Sequence, residues 1–155
     1  MTAGERGISY LEIIIILAIF MVLVISGYLS VIGNLAKGRD AKRKSDLRKI
    51  SVAFENYLDD KACYPEISLL QTCGGQGLSP YLNDIPCDPL TKKPYLGQAG
   101  FKTPGCNNWF KIYSFLENVD DPIIANLGLG NGETVGGEEI NYGVSSGNVS
   151  VADII

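Results

Sequence analysis

Gly7-Ile8-Ser9-Tyr10-Leu11-Glu12-Ile13-Ile14-Ile15-Ile16-Leu17-Ala18-Ile19-Phe20-Met21-Val22-Leu23-Val24-Ile25 is the stretch on which the organisation of this chain turns. From Ile13 to Ala36 there is no charged residue. As a helix rising 1.5 Å per residue, that run is long enough to cross a hydrocarbon core of about 30 Å. Ile13 to Ile25 is apolar on every side, as a helix facing lipid must be. Glu12 stands at its head. A charge at bilayer depth costs roughly 2.5–3.5 kcal/mol on insertion scales and is as a rule paired and functional. Arg6 is the only cation near it in sequence. The partner of Glu12 is therefore expected from elsewhere, and that points to assembly.

Downstream the apolar run thins through Gly27, Tyr28, Gly33 and Asn34, and then the pattern changes. Leu47, Ile50, Phe54, Tyr57 and Leu58 recur at helical spacing, with Arg43, Lys44, Arg48, Lys49, Glu55 and Asp59 between them. No proline interrupts before Pro65. The spacing predicts one continuous helix from about Ile8 to Asp60, roughly 80 Å long. So long a helix must protrude from so small a protein. Residues 8–36 form its transmembrane half and residues 37–60 its amphipathic continuation. Gly27, Gly33 and Gly38 each cost about 1 kcal/mol against alanine in a helix. They are either soft spots that unwind under load or points of close helix–helix contact, although no G-x-x-x-G spacing occurs.

Past Asp60 prolines and glycines punctuate Cys63 to Gly105. Trp109 to Leu116 is aromatic-rich and reads as a strand, as does Ile140 to Val144. Ser145 to Asn148 then turns into Val149-Ser150-Val151, a short strand is expected near Pro94-Tyr95-Leu96, and Gly128 to Gly137 reads as a glycine-rich surface loop. The fold class is α+β: a long N-terminal helix whose second half packs on a small antiparallel sheet, with residues 61–155 as the distal domain.

Composition narrows the function. Of the 155 residues about 36 belong to the apolar segment, leaving roughly 120 for one small domain. Residues 1–49 carry 8 basic and 4 acidic side chains, net +4; residues 50–155 carry 5 and 13, net −8. So acidic a distal domain is a poor nucleic-acid binder. There is no histidine, which removes Ser-His-Asp and Cys-His catalysis and most zinc sites, and no enzymatic activity is expected. Cys63, Cys73, Cys87 and Cys106 all lie in the distal part and fit disulfides in an oxidising exterior. Of the three pairings, Cys63–Cys73 with Cys87–Cys106 closes the shortest loops and is the one favoured.

Gly7-Ile8-Ser9-Tyr10-Leu11-Glu12, followed by the apolar run, resembles the class III signal of type IV pilins and type II secretion pseudopilins. Ala41 to Ile50 is similar to the basic stretch that follows the apolar segment in pseudopilin-like proteins, and Tyr81 to Pro89 with Pro94-Tyr95 to their first sheet-domain segments. The resemblance implies a pilin-like fold and a leader of residues 1–7. A prepilin peptidase would cut between Gly7 and Ile8 and methylate the new amine of Ile8. Glu12 would pair with the Ile8 amine of a neighbouring subunit. The implied partners are copies of this chain and related pilins in a helical filament, an inner-membrane assembly platform and the lipid bilayer. The implied location is the inner membrane, single-pass, with the distal domain extracytoplasmic, and afterwards a filament. Ile8 stands where the family usually has an aromatic residue. The missing mid-helix proline leans toward a pseudopilin or a divergent pilin.

Other readings compete. Ile13 to Ile25 could be the h-region of an ordinary secretory signal, but Glu12 at its border and the missing A-x-A site oppose that. A plain membrane anchor for an extracytoplasmic binding domain is the alternative function. Lys37, Arg39, Lys42, Arg43 and Lys44 follow the span, and the positive-inside rule would put the distal domain in the cytoplasm; the cysteines and the Gly7–Glu12 motif argue the reverse. Those cations read either as solvated helix surface or as contacts to anionic lipid or acidic neighbours. Asp120, Asp121, Asn131 and Glu133 surround the glycine-rich loop and are weak candidate ligands for Ca²⁺, against the plainer reading of a solvated acidic loop. Gly128-Leu129-Gly130-Asn131-Gly132 lacks the third glycine of a nucleotide fingerprint.

Overall fold

A computed structural model describes residues 9–103, 106–130 and 132–153, the side chains of 29–32 and 101–102 excepted. The order of elements is α1 (Tyr10–Lys61), a 3₁₀ helix (Ile67–Gln71), β1 (Leu96–Thr103), β2 (Cys106–Ser114), α2 (Pro122–Leu127), β3 (Thr134–Val135), β4 (Glu138–Glu139) and β5 (Tyr142–Ser145). The class is α+β, a long apolar N-terminal helix with a small antiparallel sheet. The chain divides into two compact units, Met1–Ala36 and Lys37–Ile155.

Among the described residues the first unit is the apolar part of α1, preceded by Ser9. The Ser9 carbonyl accepts the N–H groups of Glu12 and Ile13 at 3.0 and 3.2 Å and opens the helix. α1 is long and apolar enough to cross a membrane.

In the second unit α1 is amphipathic, and its buried stripe carries Leu47, Ile50 and Phe54. The sheet order is β1-β2-β5, all antiparallel. Alternation along β2 sends Phe110 and Ile112 to the face that packs against Leu47, Ile50 and Phe54. Phe110 meets Phe54 and Tyr64 edge-on, both at 4.9 Å between ring centroids. The other face of β2 carries Trp109, Lys111 and Tyr113. Tyr113 joins a second core with Leu129, Val135, Ile140 and Val151. Lys111 is buried there; its ammonium lies 5.3 Å from the Trp109 ring and donates to the carbonyl of Asp153. β3 and β4 form a two-residue hairpin through Gly136 and Gly137, both at positive φ (61° and 82°), the turn geometry that glycine adopts without strain.

Three expectations need correction. Val149 to Val151 is not a strand: Val149 N–H returns to Ser146 and Asp153 N–H to Ser150, so these residues turn, and Val151 is buried against Tyr113. β2 stops at Ser114 because Asn141 captures both the N–H and the C=O of Leu116, at 2.6 and 2.9 Å. The strand expected near Pro94 starts only at Leu96 and continues through Gly97 and Gly100 to Thr103. Gly100 belongs in it because the Trp109 indole lies across that position, where a Cβ would collide with the ring.

The favoured cysteine pairing is also overturned. Cys73 is bonded to Cys87, with Cα atoms 5.4 Å apart. Loop length was the wrong guide, because local backbone pairing decides. Gly74 N–H donates to Ile85 and Ile85 N–H to Gly75, at 2.8 and 3.0 Å, which lays the turn after Cys73 against the segment before Cys87.

Candidate functional site

Two features stand apart from ordinary packing. The first is the head of α1. From Tyr10 to Tyr28 every large apolar side chain is exposed, by 44% at the least and 80% at the most. Glu12 lies in the first turn and is exposed. Among the described residues no ion pair includes it. Gly7 and Ile8, the expected cleavage and methylation positions, lie outside the described residues. A Cβ added at Gly27, Gly33 or Gly38 meets nothing within 4 Å, so no contact among the described residues requires glycine there.

The second feature is an ion cluster in Lys37–Ile155. Stepping back from Leu47 by four residues reaches Arg43, and by three more Asp40. Both therefore lie on the buried stripe of α1. Arg43 is only 3% exposed at its side chain. Its Nη1 donates to Asp40 Oδ1 and Glu117 Oε1, each at 2.7 Å, and its Nε to Asp88 Oδ2 at 2.6 Å. Arg39 adds a forked pair to Glu117 at 2.7 and 2.5 Å. Asp40 in turn accepts the N–H groups of Glu117 and Asn118, both at 2.9 Å. Asp88 accepts those of Leu90 and Thr91. Lys44 reaches Asp121 at 2.5 Å. Buried Asp46 accepts from Lys42 at 2.6 Å and from the Tyr95 hydroxyl at 3.3 Å.

The electrostatics follow from these contacts. Burial pushes the Asp88 carboxyl up, but Arg43 and the two N–H donors outweigh it and hold it down to about 2. Glu117 is held at about 2, first by Arg39 and, against burial, by Arg43 as well. Asp121 is lowered, chiefly by Lys44. Burial disfavours the charge on Arg43, yet the Asp88, Glu117 and Asp40 bonds leave its pKa above the ordinary value. An open cleft of about 330 Å³ lies alongside, with Arg43, Asp88, Tyr95, Tyr113 and Glu117 in its walls. Arg43, Asp88 and Glu117 are occupied with one another. This arrangement fastens three loops (around residues 88, 117 and 121) to one helix face.

Within the basic stretch Arg39, Arg43 and Lys44 are tied down internally, whereas Lys37 and Lys42 are exposed. The partners of the two arginines, Asp40, Asp88 and Glu117, carried no sequence motif, and Asp121, the partner of Lys44, stood only as a candidate calcium ligand. The one usable signal was that the Leu47 stripe, extended backwards, runs into Arg43 and Asp40. Of the candidate calcium ligands, Asp121 is engaged by Lys44 and by the Ile123 N–H as a helix cap. Asn131 lies outside the described residues. Among the described residues no group of three or more His, Cys, Asp or Glu side chains is placed to hold a metal ion. No protein-family model, curated protein or solved structure matches this chain.

Proposed function

We propose that this chain is a structural subunit, a pilin or pseudopilin, that polymerises through α1 into a type IV pilus or a type II secretion pseudopilus. The observation that carries the reading is Glu12: a lone carboxylate five residues after Gly7, heading a helical segment whose large apolar side chains from Tyr10 to Tyr28 are all exposed. A surface of that kind is stable in lipid or against copies of itself, not in water. Hydrolysis after Gly7 would leave an ammonium on Ile8. Ile8 precedes Glu12 by four residues in sequence, and in a helical stack its ammonium would meet Glu12 of the neighbour. Bringing opposite charges together offsets the cost of each in an apolar setting. That pairing would draw a subunit from the bilayer into the filament and set its axial register. In the distal unit the ion cluster would keep the loops fastened to α1 while the helix bears load.

The test is co-expression of the full chain with a prepilin peptidase. The expected product starts at N-methyl-Ile8 by intact mass. A chain with the leader retained would favour the alternative, a membrane-anchored extracytoplasmic binding domain. In a reconstituted system Glu12→Ala should insert normally and yield few filaments; unchanged assembly would remove charge pairing as the mechanism.

A further inference from the structure

Cys73–Cys87 leaves two cysteines outside that bond, Cys63 and Cys106. We propose that Cys63 and Cys106 close a second intrachain disulfide, which fastens the chain just after α1 to the first residue of β2. Tyr64 and Asn107 exchange both backbone hydrogen bonds, at 2.9 and 3.2 Å, and so form an antiparallel pair. Cys63 immediately precedes one member and Cys106 the other. Alternation turns both side chains to the face opposite that of Tyr64 and Asn107. They are diagonal neighbours across the two segments.

Diagonal positions of this kind lie about 7–8 Å apart at Cα and closer at Cβ, and a disulfide accepts Cα separations up to about 7 Å. From such a separation, closing the bond to the usual Cα distance of about 5.5–6 Å takes a shift of about 1–2 Å. The backbone can supply it here, because neither segment is regular. Ala62 has φ 58°, and the β1–β2 register slips between Gly100 and Thr103. The Asn107 amide also donates to the Pro65 carbonyl at 2.7 Å, which keeps the segment of Cys63 against that of Cys106 and the thiols at high effective concentration.

The chemistry is thiol–disulfide exchange with an oxidising disulfide, either glutathione disulfide or a protein disulfide of the exterior. Cys106 is half-buried and Cys63 buried, so Cys106 reacts first. Its thiolate attacks one sulfur of the oxidant, forms a mixed disulfide and expels one thiolate. The Cys63 thiolate then attacks the Cys106 sulfur and expels the second. The two cysteines lose two protons and two electrons, and the oxidant leaves as two thiols. In the cell this step rests on the proposal that the distal unit lies outside the cytoplasm.

Two samples of the full chain separate the crosslink from that premise. One is purified from membranes under an alkylating reagent; the other is reduced in detergent and reoxidised in a glutathione redox buffer, then alkylated. Non-reducing peptide mapping of the reoxidised sample is expected to give a Cys63–Cys106 peptide beside Cys73–Cys87, with no alkylated cysteine. Cys63→Ser should expose one alkylated thiol, at Cys106, and leave Cys73–Cys87 intact. Cys73–Cys87 closed with Cys63 and Cys106 both alkylated overturns the inference, as does either cysteine joined to any other partner. A reoxidised sample with both bonds beside a membrane sample with all four thiols alkylated supports the crosslink and counts against the compartment.

Discussion

Replacing Arg43 by methionine tests whether the ion cluster holds the distal unit together. Methionine keeps much of the apolar stem but leaves Asp40, Asp88 and Glu117 facing a vacated guanidinium position. Removing one partner of a buried charge set costs about 3–5 kcal/mol. A second route gives a similar figure. Asp88 and Glu117 are held at about 2, against ordinary values of 3.8 and 4.5. At about 1.4 kcal/mol per pKa unit each depression amounts to roughly 2–4 kcal/mol. The two carboxylates are 14% and 23% exposed, so solvent screens part of this. Glu117 also keeps Arg39, and a joint contribution of about 2–4 kcal/mol remains.

The sign is set by linkage. Both native pKa values lie below the unfolded ones, so the contribution is complete above about pH 5 and is lost as pH falls from about 4.5 to 2. The assay is urea unfolding of the full chain in detergent, followed by the fluorescence of Trp109, the single tryptophan. Arg43→Met should lose about 3 kcal/mol at pH 7, and the gap to the parent should shrink to about half of that near pH 3. A loss under about 0.5 kcal/mol at pH 7, or an equal loss at both pH values, would refute the reasoning.

Phe54→Ala removes the ring that meets Phe110 in a fully buried site and should cost about 3–5 kcal/mol, read as a lower thermal midpoint by near-ultraviolet circular dichroism. Gly100→Val places a branched side chain where the Trp109 indole lies; the ring must swing out, so acrylamide quenching of Trp109 should rise and its emission shift to the red. Asn141→Ala orphans both backbone groups of Leu116, at about 1–3 kcal/mol, and hydrogen exchange at the Leu116 amide should accelerate more than at Ile112.

What was legible in the sequence was local. The length of α1 follows from an apolar run joined to the Leu47, Ile50 and Phe54 stripe with no proline before Pro65. β2 follows from its aromatic density. What escaped depends on partners distant in sequence. β1 contains Gly97 and Gly100 and looks like a loop until Trp109, nine residues beyond Gly100, is known to lie opposite it. The Cys73–Cys87 bond is set by hydrogen bonds between the 74–75 turn and Ile85, which no count of loop residues contains. The ion cluster escaped because charged residues are read as surface by default, although Arg43 and Asp40 occupy the same helical stripe as Leu47.

That cluster bears on the one conflict in the sequence. Five cations after an apolar span ordinarily mark a cytoplasmic flank. Among the described residues, four of those five are in ion pairs within their own unit: Arg39, Lys42, Arg43 and Lys44. Their presence has a cause in folding, and orientation need not be invoked to explain it. The same pairing accounts for part of the charge asymmetry: Asp88, Glu117 and Asp121 come from the acidic part and close on Arg39, Arg43 and Lys44 in the basic part of α1. A domain built this way needs a basic start to its helix in whichever compartment it folds. The basic flank therefore carries little weight against the Gly7–Glu12 motif.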